Sequence, residues 1–229
     1  PLEGPGLQGH PGQLLAILAQ SKVMSDYPIH AGGKEFNLTD LIEYEKRTCR
    51  PRTELTFKLI GLAHYLDTDT TWKSESGEDW SIPRLIREEI AQPIRGATCG
   101  GTHRLFGIYY PVQKRRKEGK PIEGEYARAA KYISDYNDYT FKLQNPDGSF
   151  STEWYVGRGN RSDNARKLQT TGHMLEFMAF SVPDETLTDP RMLRAVDFLT
   201  NLLYDNTSTN WEIGPLGHAL HALANYESR

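Results

Sequence analysis

Cysteine is nearly absent: Cys49 and Cys99 are the only two in 229 residues. Two thiols exclude a disulfide framework and leave the redox compartment open. No apolar run is long enough to span a bilayer. A basic surplus is also missing, since the net charge is −3. That excludes a general electrostatic grip on nucleic acid, which needs a basic face. The chain opens without methionine on Pro1-Leu2-Glu3-Gly4-Pro5-Gly6. Residues 1–9 read as a linker or cloning remnant, and 10–229 as a single domain cut from a longer parent protein. Export or a periplasmic location stays open on this reading. With 38% apolar residues, 229 positions are enough to bury the core of one domain.

What is present is helical periodicity, with apolar residues three and four apart. Leu14, Leu15 and Leu18 mark a helix over roughly 11–22, and Leu38, Leu41 and Ile42 one over roughly 38–48. Leu55, Leu59, Leu62 and Leu66 mark a third over roughly 53–66. Ser81 and Pro83 open a fourth over roughly 82–91. Further helices fall at roughly 102–117, 124–143, 166–181, 189–203 and 214–226. The eighth is capped by Asp189-Pro190. This predicts an all-α fold of about nine helices and no strand, with one short extended piece at Phe150 to Val156.

One line is written five times along the chain. Gly9-His10-Pro11-Gly12, Thr53-Glu54-Leu55, Gly101-Thr102-His103, Gly172-His173-Met174 and Gly217-His218-Ala219 each place small or capping residues and a histidine before an apolar helix, with Glu54 in the second copy. Repetition of a helix-pair unit points to a closed or stacked array. Successive antiparallel helices put alternate connections on two faces. The connections entering the odd helices hold Cys49, Arg50, Arg52, Arg95, Cys99, the long Gln144 to Thr171 loop and Trp211. Those leaving them hold ordinary solvated turns. A loop near 25 residues in a compact helical domain is more often functional than idle.

The turn Gln144-Asn145-Pro146-Asp147-Gly148-Ser149-Phe150 is similar to the Q-x-x-D-G-x-W turn of squalene cyclase-type proteins, with Phe150 where they have tryptophan. With alternating inner and outer helices, it resembles the α/α toroid of terpene cyclases, protein prenyltransferase β-subunits, lanthionine cyclases and several polysaccharide lyases. The likeness covers roughly residues 10–226. Cys99-Gly100-Gly101-Thr102-His103-Arg104-Leu105 and Thr171-Gly172-His173-Met174-Leu175-Glu176 also resemble toroid-like proteins of planctomycete-type bacteria. The resemblance implies inner helices whose amino ends face one ring mouth.

Cys99 and His103 are four apart at a helix start, where the helix dipole and Arg95 or Arg104 would favour a thiolate. Cys99 is then a nucleophile or metal ligand, or else a small buried residue beside a glycine turn. His10, His103, His173 and His218 occupy equivalent slots and would converge if the ring closes. Two or three of them with Cys99 would suit zinc, Cys99, His103 and His173 being one such set, although no metal ligand is firmly assigned by the sequence. Lanthionine cyclases draw zinc ligands from inner-helix starts, but their W-C-x-G and C-H-G pairings are not found here. Helix capping would account for each histidine equally well. Glu176, three after His173, is placed to orient that imidazole. His221 reads as a core histidine.

Arg50, Arg52, Arg95, Arg104, Arg158, Arg161 and Arg166 map to the same face and suit an anionic ligand. Trp154, Tyr155 and Trp211 would add stacking surfaces for sugar rings or apolar chains. Arginines paired with Glu54, Glu153 or Asp163 would be structural instead. Asp67-Thr68-Asp69-Thr70 superficially resembles an acidic protonation motif but follows an inner helix, and no Cys-x-x-Gln thioester sequence is present. A Cys49–Cys99 disulfide would remove the nucleophile and favour an oxidising compartment.

The leading expectation is an enzyme acting on an anionic or glycan-like small molecule at the ring mouth. Cys99, His103 and His173 would be catalytic, and His10, Glu54, Arg52, Arg104, Trp154, Arg158, Trp211 and His218 would bind substrate. A non-catalytic binding or scaffolding domain is the alternative. Isoprenoid chemistry is a third reading, weakened by the missing acidic and Asp-x-Cys motifs.

Overall fold

A computed structural model describes residues 9–229. Nine α-helices are found among them: α1 (Gln13–Gln20), α2 (Leu38–Arg47), α3 (Thr56–Tyr65), α4 (Ile82–Ile90), α5 (Thr102–Lys117), α6 (Gly124–Lys142), α7 (Asn164–Ser181), α8 (Pro190–Asp205) and α9 (Ile213–Glu227). All nine fall where the periodicity places them. The expectation for residues 1–8 lies outside the described residues. The chain divides into two compact units, the first reaching to Gln92 and including Gly107–Ala130, the second made of Pro93–Phe106 and Lys131–Arg229.

Two short antiparallel hairpins correct the expectation of no strand. β1 (Pro28–Ala31) pairs with β2 (Lys34–Asn37), and β3 (Thr71–Lys73) with β4 (Asp79–Ser81). The first turns on Gly32-Gly33, both at positive φ (59° and 73°), which is the backbone a two-residue hairpin needs. The second sets Trp72 opposite Trp80, and both rings are buried. Pairs of three- and four-residue strands are too short for a period-2 pattern to emerge from a helical background.

In the first unit, α3 is the axis, with every residue from Thr56 to Ala63 buried. α1 lies against it through Gly61, where a Cβ would come 2.6 Å from Leu15 Cγ. The start of α3 has no cap of its own; Glu89 on α4 supplies one, accepting from the Leu55 N–H (2.8 Å) and the Thr56 hydroxyl (2.5 Å). Lys58 on the same helix donates to Glu45 (2.5 Å) and Thr48 (2.6 Å), a buried ion pair that ties α2 to α3.

In the second unit, α7 has the corresponding character, buried on nearly every side from Leu168 to Ser181. Its Gly172 meets α9 at Ala219, where a Cβ on the glycine would lie 3.0 Å from the Ala219 Cα and N. The Gln144–Ser149 turn closes on α8. Gln144 donates to the Arg191 carbonyl (2.7 Å), and Gly148, at φ 92°, passes so near the Arg194 carbonyl that a Cβ would stand 2.3 Å from it. Asn145 donates to Ser149, Phe150 and Gly159 and so folds the long loop on itself. The extended piece expected at Phe150 to Val156 is therefore a run of turns, with Ser151 bonded to the Gly157 carbonyl and Trp154 in the left-handed region at φ 54°.

Replacing Gly172 by valine forces α7 and α9 apart. The expected loss is about 1–3 kcal/mol of unfolding free energy, from overpacking at a tight helix contact, and urea denaturation measures it. An unchanged midpoint would show that the close approach is not needed.

Candidate functional site

The turn before α5 is built to hold a side chain in one place. Thr98–Gly101 form a single 3-10 turn in which Cys99 takes a left-handed conformation (φ 48°, ψ 47°) that non-glycine residues seldom adopt. Gly100 follows at φ 65°, so near Trp154 that a Cβ would sit 2.2 Å from the indole. The Thr102 hydroxyl closes the turn on the Cys99 carbonyl at 2.9 Å. Cys99 thus precedes the helix, where the four-residue spacing expects it within the first turn. Its sulfur nonetheless reaches the imidazoles: one ligand atom each from Cys99, His103 and His173 lie within 4.8 Å of one another.

Three of the four repeated histidines come together. His173 lies 5.8 Å from His103 and 3.8 Å from His218 between ring centroids, and His103 lies 5.4 Å from His218. The indole of Trp154 stands edge-on to His173 at 5.5 Å. His10, the fourth, belongs to the first unit, where it bonds Glu54 at 2.8 Å and stacks on Phe57. Both His10 and Glu54 are consumed by that pair.

His173 is only 2% exposed. Its Nδ1 donates to the Gln169 carbonyl at 2.7 Å, which leaves the lone pair on Nε2, and that buried atom has no hydrogen-bond partner. Burial pushes its pKa down to about 3, with His218 and His103 adding to the effect, so the ring is neutral. Glu176 sits one turn further along α7. Its carboxylate receives His218 Nδ1 at 2.7 Å and His221 Nδ1 at 2.5 Å. Burial alone would raise this carboxyl, but the two hydrogen bonds outweigh it and hold the pKa at about 2. Glu176 therefore orients the α9 histidines, where the sequence places it behind His173. His221 is likewise no core residue: its side chain is 53% exposed and its pKa is raised by the bond to Glu176.

The surroundings of Cys99 do not favour the thiolate expected there. Burial raises the Cys99 pKa and the Glu176 charge raises it further, so the metal-free resting state is the thiol. Arg104, expected to favour a thiolate, instead donates to the Pro93 carbonyl at 2.6 Å. No disulfide forms either. Cys49 is a free buried thiol of the first unit, bonded to the Glu45 carbonyl and pushed up to about 11, chiefly by burial.

The cationic face is largely committed elsewhere. Arg161 pairs with Glu153 (2.7 Å), Arg166 donates to the Thr152 carbonyl (2.8 Å) and lies 5.3 Å over the Trp154 ring, and Arg50 pairs with Glu75 (3.0 Å). Arg52 bonds Glu88 through its backbone, and Arg158 is exposed in the long loop. Trp211 is half-buried in the turn before α9. Asp67 and Asp69 are held by Lys120 and Arg115, which makes that turn a structural clamp.

Acid should weaken the second unit by a defined route. Folded His173 stays neutral down to about pH 3, whereas the unfolded chain takes up that proton near 6.5. Folded Glu176 stays charged down to about pH 2, against 4.5 when unfolded. In both cases the unfolded chain binds more protons as pH falls, so stability present above pH 6.5 drains away below it. His221 acts oppositely, its contribution being present below 6.5 and lost as pH rises through its raised pKa. Urea midpoints of metal-free protein are expected to fall between pH 6.5 and 4.5 in the wild type. The fall should be shallower in His173→Leu, and equal slopes would remove His173 as the cause.

No helix among the described residues is long and apolar enough to cross a membrane. Comparison with protein-family models, curated proteins and solved structures finds no match, so the site must be read from its own chemistry.

Proposed function

We propose that the chain is an α/α-toroid enzyme whose chemistry takes place at the histidine cluster of the second unit, on a small anionic or glycan-like substrate. The alternation of helices and the Gln144–Ser149 turn gripping α8 support the toroid reading. The observation that carries the catalytic reading is the buried Glu176 carboxylate holding two histidines of α9. A buried carboxylate that receives two imidazoles is an arrangement that concentrates where proton transfer is required.

The roles follow from the hydrogen bonds. With Nδ1 donating to Glu176, His218 keeps a basic Nε2 and can accept a proton, and the carboxylate steadies the imidazolium that results. His221 occupies the other carboxylate oxygen and stops Glu176 from rotating away. Neutral His173, flanked by Trp154 and His218, forms the wall against which a reacting group would rest. Trp154 offers a face for a sugar ring, and exposed Arg158 in the same loop offers a charge for an acidic one.

A panel of chromogenic esters, phosphate monoesters and glycosides, with uronic-acid polysaccharides read by absorbance of unsaturated products, tests this. Turnover of at least one class is expected, with kcat reduced roughly 100-fold or more by Glu176→Gln and by His218→Ala. Wild-type rates in both variants, or no turnover of any class, overturn the reading.

A further inference from the structure

Resting on that placement of the active site, we propose that Cys99, His103 and His173 form a mononuclear zinc centre with one coordination position left for water or substrate. Three separate stretches of chain supply the ligands: the left-handed turn before α5, the first turn of α5 and the middle of α7. Their ligand atoms already lie within 4.8 Å of one another. Tetrahedral zinc with bonds of about 2.3 Å to sulfur and about 2.1 Å to nitrogen needs such atoms roughly 3.5 Å apart. Side-chain rotation of about an ångström closes that difference without moving a helix.

The second observation is independent of the clustering. His173 Nε2 is buried and has no hydrogen-bond partner, an arrangement that ordinarily destabilises a fold. The same ring is prepared for a metal by its other nitrogen: Nδ1–H to a backbone carbonyl fixes the tautomer with its lone pair on Nε2, as metal-bound histidines usually have it. Folding has oriented this ring toward a group that the polypeptide itself does not provide.

Ligand chemistry selects the ion. One thiolate and two imidazoles are too soft for magnesium or calcium and suit zinc, whose sites with three protein ligands keep an open position. Binding releases the Cys99 proton to solvent, because the metal holds the thiolate. The net +1 of Zn²⁺ with one thiolate then has the Glu176 carboxylate nearby to balance it. His218, packed on His173 at 3.8 Å, is not among the mutually close ligand atoms. It borders the centre without completing it, which marks a site open to reaction rather than a closed structural one.

Protein prepared without a polyhistidine tag, stripped with chelator and titrated with cobalt(II), gives the test. One equivalent should bind, with a near-ultraviolet thiolate-to-cobalt band and intense visible bands of a tetrahedral ion, and zinc should displace it. Cys99→Ser should lose the thiolate band, and His173→Gln should weaken binding about 100-fold or more. His10→Ala should change neither, and circular dichroism confirms that each variant is folded. Should a Cys99→Ser variant fail to fold, His103→Gln provides the same affinity readout. No stoichiometric binding, or a thiolate band that survives Cys99→Ser, overturns the zinc centre. The two readings fail separately. Turnover that persists in stripped protein removes the metal and keeps the active site, whereas cobalt binding with wild-type rates in Glu176→Gln and His218→Ala keeps the metal and removes the catalytic dyad.

Discussion

The second unit depends on one close contact, the meeting of α7 and α9 at Gly172 and Ala219. A side chain at this position of α7 would press directly on the α9 backbone. The next residue on each helix or its immediate neighbour is a histidine, so the approach that packs Gly172 on Ala219 also brings His173 and His218 to 3.8 Å. One turn on, Glu176 is carried within reach of two α9 imidazoles at once. A wider helix spacing would leave three solvated histidines and a surface glutamate. The glycine is therefore as much a part of the site as the groups that carry its chemistry.

The cluster is costly to bury, and the molecule offsets that cost unevenly. Glu176 is compensated by two charge-assisted hydrogen bonds, and His173 gives up its proton and keeps one backbone bond. The first unit shows what a purely structural solution looks like: Lys58 with Glu45, and Glu89 with the amino end of α3, satisfy buried charge by direct pairing. In the second unit the bare His173 nitrogen lies beside a second imidazole and a thiol, and that company, rather than the missing bond alone, is what ligand sites have.

Helices were legible in the chain because each buries a stripe at the 3.6-residue period, and all nine appear within a few residues of their expected ends. The hairpins were not, although Gly32-Gly33 carried the signal of a two-residue turn. The repeated glycine–histidine phrase led to His103, His173 and His218, whose rings do come together from three alternate helices. It over-reached at His10, whose equivalent slot is occupied by a local pair with Glu54. The thiol's protonation state and the partner of Glu176 depend on burial and on which helix comes alongside, and neither is written in residue spacing. The same limit hid His221, whose three-residue step from His218 becomes meaningful only once a carboxylate from α7 faces both.

The left-handed pair Cys99 and Trp154 has a mechanical meaning. Gly100 lies flush beneath the indole, with no room for even a methyl group between them, so the sulfur-bearing turn is packed directly on the long surface loop. A larger residue at position 100 would have to displace the tryptophan, and with it the segment of the loop that carries it.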